Sequence, residues 1–166
     1  WAYSLLTESR GIATGVVGIA VAGYWGALTV SRLALGVLGD RIDSNRALTA
    51  SGVATVASLL VMWVAPTPWL GIAGLVISGF AHGSVFPLEI LLTARRFGAA
   101  YTPWVVGYEI AAANVGVALV SGGIGILVSR WDVAVVAPAL CVIAVLLLAA
   151  IEALRMRSAA FPVVRA

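Results

Sequence analysis

The chain has 166 residues, of which 62% are apolar and only 10% charged. That is more apolar surface than a water-soluble fold of this size can hide, since soluble domains run at about 45–50% apolar. A mean hydropathy of +1.08 makes lipid the expected solvent. The net charge of +3 comes wholly from arginine, as there is no lysine. In a membrane chain that excess bears on orientation and gives no basis for nucleic-acid binding.

The chain opens on WAYSLLTESRG, which has neither an initial methionine nor the basic-then-apolar order of a signal segment. Residues 1–10 are expected to be the end of a truncated transmembrane helix and an outer loop. Residues 11–166 are expected to be a five-span bundle with a cytoplasmic C-terminal tail. A spanning helix needs about 20 mostly apolar residues, and the stretches 12–38, 47–65, 69–94, 102–128 and 133–153 qualify. The first span runs into a charge-dense hinge carrying Asp40, Arg41, Asp43 and Arg46. Pro66 and Pro68 mark the next turn, since proline donates no amide hydrogen and sets an extended backbone before it. RRFGAAY and RWD form the later connections. Trp69, Trp104 and Trp131 fall near predicted helix ends, where interfacial aromatics belong. Cys141 is the only cysteine and forms no internal disulfide.

Arg41, Arg46, Arg95, Arg96, Arg155, Arg157 and Arg165 fall on one side of this arrangement, and only Arg10 and Arg130 on the other. The positive-inside bias then places the hinge and the C-terminus in the cytoplasm of an inner (plasma) membrane protein. The spans at 47–65 and 133–153 lack ionisable groups except Glu152 at the exit, so they are expected to buttress the bundle. The other three carry Tyr24, Trp25, Arg32, His82, Glu89, Glu109 and Asn114. Polar groups at that depth need a protein or water partner, which implies a shared wet interior. Gly18, Ala22 and Gly26 recur at four-residue spacing, as do Gly79 and Gly83, a pattern expected to let helices pack closely.

The hinge sequence GVLGDR (36–41) resembles the loop signature G-x-L-A-D-R of the major facilitator superfamily. GFAHGSVFPLEILLTARRFG (79–98) and VGYEIAAANVGVALVSGGIGILVSR (106–130) are similar to the tenth and eleventh helices of its fucose-permease-like branch. The resemblance covers nearly the whole chain. It implies an all-α integral membrane fold: the C-terminal bundle of a twelve-helix carrier, from the end of helix seven through helix twelve. The missing N-terminal half would be its partner, a small-molecule solute its cargo and protons a potential coupling ion, with no cofactor or metal. The chain departs from the signature after Arg41, where Asp43, Ser44 and Asn45 stand before Arg46. It also departs at Glu109, where relatives commonly carry glutamine, and near Ser121, where they carry proline.

The expected substrate cavity comprises Tyr24, Trp25, His82, Glu109 and Asn114. The expected gate comprises Gly36, Asp40, Arg41 and Arg46, with the loop aspartate latching one alternating-access state. Glu109 lies about 10 Å into its span at 1.5 Å per residue, where a carboxyl needs a cation, water or a proton. His82, the single histidine, is suited either to binding solute or to a satisfied buried role. Glu89, near Arg95 and Arg96, reads as a gating or interfacial ion pair. Arg32 reads as a snorkelling or structural residue, and Asn114 as a hydrogen-bonding seam residue. The function expected is secondary transport of a small polar solute, a sugar being the first choice. The alternatives are a drug or metabolite efflux carrier, or a non-transporting scaffold or receptor. An intramembrane serine protease is disfavoured, because His82 and Ser84 lie on different sides of one helix.

Overall fold

The computed structural model describes the backbone of residues 1–160, and the side chains of these apart from Asp40 and residues 158–160. Arg165 and the Asp40 side chain therefore lie outside the described residues. Every regular element among the described residues is helical. Helix α1 (Ala2–Ser4) continues into a π-helical turn, Leu5–Ser9. It is followed by α2 (Thr14–Leu38), a 3-10 turn (Gly39–Arg41), α3 (Ser44–Val64), α4 (Pro68–Gly83) and α5 (Val85–Arg130). A second 3-10 turn (Val133–Val135) leads into α6 (Val136–Ala160).

Four helical stretches are long and apolar enough to cross a membrane, and the third, Pro68–Arg130, has 63 residues. A straight helix of that length would reach about 95 Å, three times a hydrocarbon core of about 30 Å. It does not run straight. Gly98 adopts φ 73° and ψ 169°, a region that only glycine occupies without strain. Thr93 Oγ1 donates a hydrogen bond to Glu109 Oε1, although a straight helix would hold residues sixteen apart about 24 Å from each other. The chain therefore folds back at Gly98, and Pro103 lies inside the second arm, five residues past the turn. The sequence-based connection RRFGAAY contracts to one residue. Pro68–Arg130 thus doubles back on itself as a helical hairpin.

The break between α4 and α5 also has a local cause. Pro87 has no N–H to offer the Gly83 carbonyl four residues earlier, and its ring crowds that oxygen. Arg32 Nε donates to the freed Gly83 carbonyl instead, at 3.3 Å. This is the structural role of Arg32.

Helix α4 lies at the centre, packed on α2 and α3, and α3 packs in turn on α6. Glycines bring the backbones together. A Cβ at Gly83 would stand 2.6 Å from the Leu28 carbonyl oxygen, and one at Gly74 2.7 Å from that of Ser58. A Cβ at Gly79 would collide with the Tyr24 carbonyl. The expectation for Gly79 and Gly83 is met, but Gly18 and Gly26 have nothing within 4 Å. That stripe faces away from α4, and α2 uses Gly23, against Val76, in its place. Outward-facing Ile19, Leu33, Val37 and Leu119 remain exposed, which suits contact with lipid.

At the end away from the hinge, Arg10 caps α3. Its guanidinium donates to the carbonyls of Met62 (2.8 Å), Trp63 (2.6 Å) and Ala65 (2.9 Å). These are the orphan acceptors at the negative end of the helix dipole.

Two outcomes are expected for the full-length protein in detergent. Gly83→Val destabilises it by about 1–3 kcal/mol through overpacking, whereas Gly18→Ala leaves the melting temperature unchanged. Arg10→Ala lowers stability by about 2 kcal/mol or more, the range for lost charge-assisted hydrogen bonds. Arg10→Lys recovers only part of that, because a single ammonium does not reproduce the forked contact.

Candidate functional site

A cavity of about 450 Å³ opens within the bundle, walled by residues of α2, α3, α4 and α6 and by the first residues of the chain. From α2 come Tyr24 and Trp25, from α3 Thr55 and Met62, and from α4 Ser78 and His82. Tyr24 and Trp25 meet edge to face, with ring centroids 5.3 Å apart at 87°, an arrangement aromatic quadrupoles favour. Trp25 keeps 60% of its surface exposed.

The wall hydroxyls are already used. Thr55 Oγ1 donates to the Ser51 carbonyl and Ser78 Oγ to that of Leu75. Among the described residues, Tyr24 and His82 are left with no hydrogen-bond partner for the phenol or the imidazole. Arg32 is near enough for its charge to act on both. The site is therefore a mainly apolar pocket with one stacking surface, two unengaged hydrogen-bonding groups and a cation beside them.

Three of the five residues expected to line the cavity, Tyr24, Trp25 and His82, line it together. Glu109 and Asn114 stand elsewhere, on the second arm of α5; Asn114 is exposed, and Glu109 faces Thr93. The division of spans also differs from the sequence expectation. Helices α3 and α6 contribute to the wall, because Gly52, Thr55 and Ser58 give α3 a buried small and polar stripe. Span 102–128 contributes nothing to it. Ser84 Oγ lies 2.8 Å from Ser51 Oγ, not against His82, so no serine–histidine pair forms there. Among the described residues, Glu89 makes no ion pair. It shares a small cleft with Asn45, Arg96 and Arg155, while Arg155 pairs with Glu152 at 2.6 Å.

The expected gate residues gather at one end of the bundle. Gly36 closes on the end of α2 with open space around it, and Gly39–Arg41 form the 3-10 turn. Arg41 and Arg46 are exposed. Sequence reading noted Asp43 and Ser44 but assigned no role to these two neighbours that organise the hinge. Asp43 is the N-cap of α3, accepting from the backbone N–H groups of Asn45 (2.9 Å) and Arg46 (3.0 Å). An acid ahead of a helical apolar run is the signal that marks it. Ser44 is 2% exposed and accepts from Arg95 Nη1 at 3.1 Å, tying the hinge to the first arm of α5.

A helical membrane bundle enclosing a solute-sized pocket defines a polytopic integral membrane protein. Residues 2–163 match the Major Facilitator Superfamily, and the chain belongs to that family. It is 35% identical over 85 residues to an uncharacterized MFS-type transporter of Pseudomonas aeruginosa, covering 51% of this chain and 20% of that protein. It is 26% identical over 123 residues to the proton-coupled antiporter flippase LtaA of Staphylococcus saprophyticus, covering 69% of this chain and 30% of the relative. The chain thus spans between a fifth and a third of the length of these relatives. No solved structure matches it.

The backbone N–H of Arg46, foremost, and then that of Asn45 hold the Asp43 carboxyl below its ordinary range, against a smaller opposing effect of desolvation. The charges of Arg46 and Arg95 act in the same downward direction. A carboxyl depressed in the fold contributes stability above its unfolded pKa, and that contribution is lost as pH falls through the folded value. Asp43→Asn, which keeps an acceptor oxygen, is therefore expected to flatten the acid limb of the stability–pH curve. Asp43→Ala should lower stability throughout the neutral range, as followed by thermal unfolding.

Proposed function

We propose that this chain is the carboxy-terminal bundle of a secondary active transporter that carries a small polar solute by alternating access. A second bundle of the same protein would rock against it around a site near the membrane midplane. The observation that carries this reading is the cavity with Trp25 exposed and Tyr24 and His82 unengaged. Its volume lies within the range of small-molecule sites, about 300–1,000 Å³. Family membership supports transport over a scaffold role.

A sugar is the favoured cargo. Its hydroxyls donate and accept, matching phenol and imidazole, and its apolar ring face suits an indole. The likeness of residues 79–130 to the fucose-permease-like branch supports the same class. A coupling proton is supported by carboxyls within the spans and by the relative that is named a proton-coupled antiporter. The arginine bias supports an inner-membrane orientation with the hinge and C-terminus cytoplasmic. In that orientation Gly36, Asp40, Arg41 and Arg46 form a cytoplasmic gate, a role drawn from the signature they resemble.

The test is uptake of radiolabelled monosaccharides by the full-length protein in proteoliposomes. Trp25→Ala and His82→Ala are each expected to raise KM about tenfold, with a smaller change in kcat, as befits lost ground-state contacts. Uptake of other solutes but no sugar would remove the sugar assignment. A protein that moves no solute in either direction would remove the transporter reading.

A further inference from the structure

The stripe of α2 that walls the cavity does not stop at Trp25. Val21 and Trp25 line the cavity, Leu28 is buried against Gly83 of α4, and Arg32 follows at the same helical spacing. Residues placed at three- and four-residue steps share one face of a helix. Arg32 therefore stands on the cavity face of α2, two turns nearer the hinge than Trp25.

Helical side chains lean toward the N-terminus of their own helix, and along α2 that direction leads from the hinge to the cavity. The hydrogen bond from Arg32 Nε to the Gly83 carbonyl follows this lean. Gly83 is level with Leu28, since a Cβ there would stand 2.6 Å from the Leu28 carbonyl oxygen, and Leu28 lies one turn above Arg32. Gly83 also directly follows His82, a cavity residue. The guanidinium thus closes the hinge-side end of the cavity and does not snorkel to the surface.

Only Nε is engaged there. Among the described residues, neither Nη atom of Arg32 has a hydrogen-bond partner and no carboxylate pairs with it. The side chain is exposed, and no described Asp or Glu lines the cavity. A cation within a span calls for an anion or water. The two free Nη groups form a fork that matches a carboxylate. Above it, the Tyr24 phenol and His82 imidazole suit hydroxyls, and the Trp25 indole suits the apolar face of a ring.

We propose that Arg32 is the anion-binding residue of this cavity and that the solute is a sugar acid: a polyhydroxylated ring bearing one carboxylate. A single carboxylate is matched because a single cation stands at the site. That the anion is cargo rests on the transporter reading; that it binds at Arg32 does not.

The experiment measures binding of radiolabelled glucuronate and glucose to the full-length protein in nanodiscs, with no gradient imposed. The two differ only in the carboxylate that replaces a hydroxymethyl group; galacturonate and galactose form a second such pair. In at least one pair the wild type should bind the uronate about tenfold more tightly or better, as charge-assisted hydrogen bonds imply. Arg32→Gln should bring that uronate down to the affinity of its neutral partner and leave the neutral sugar nearly unchanged. Arg32→Lys, which keeps the charge without the fork, should retain part of the preference. The proposal is overturned if the wild type prefers neither uronate. It is also overturned if Arg32→Gln, folded by its melting curve, weakens both members of the pair alike, as a purely structural arginine would. If Arg32→Gln does not fold, Arg32→Lys decides: a reduced preference supports the fork and an undiminished one overturns it. Uptake is measured separately. Uronate binding through Arg32 without uptake of any solute refutes the transporter reading and leaves the anion site standing, whereas uptake of neutral sugars alone refutes the anion site and leaves the transporter reading.

Discussion

Lipid supplies no hydrogen bonds, so every carbonyl freed where a membrane helix stops or breaks must find a donor inside the protein. That constraint organises this bundle. The end of α3 is closed by Arg10, which reaches across from the first loop to three carbonyls. The proline-driven break at Gly83 is closed by Arg32 from the neighbouring helix. At the hinge, Asp43 serves the opposite end of α3, taking up N–H groups. Each repair joins two elements distant in sequence or fixes the entry of a helix, and so the repairs also set the tertiary arrangement.

Between these ends, α4 is held by contact of backbone with backbone. Gly74 lets it reach α3, and Gly79 and Gly83 let it reach α2. Small residues are an effective means of association where lipid tails remove the hydrophobic drive between helices. Because α2 and α4 are pinned at Gly79 and Gly83, Tyr24 and His82 are fixed along one wall of the cavity. The pocket is thus a product of where the glycines allow approach and where Leu59, Met62 and Leu75 fill the remainder.

The hairpin at Gly98 is a different kind of element. Its second arm is largely exposed and contributes only Ile124 to the buried core. What joins the arms is the polar contact of Thr93 with Glu109. The cavity between α2, α3, α4 and α6 and the Thr93–Glu109 contact inside the α5 hairpin occupy separate parts of the bundle.

The sequence by itself determined the solvent, the helical class and the family. These follow from apolar run length, arginine-only charge and the GVLGDR hinge, all of which are local or additive. It grouped Tyr24, Trp25 and His82 with Glu109 and Asn114, because polar and aromatic groups within a span demand an interior, but the structure gathers the first three around one cavity and sets the other two apart. The partners of particular side chains were decided only by tertiary structure. Nothing local distinguishes Arg10, a cap on a helix more than fifty residues away, from a loop cation, or the packed Gly83 from the open Gly18. The contact of Thr93 with Glu109 depends on the positive φ of Gly98, which turns a sixteen-residue separation into a hydrogen bond. Spacing along a chain reports which residues share a helix face; which face meets which is fixed by how backbones approach, and that is a property of the whole bundle.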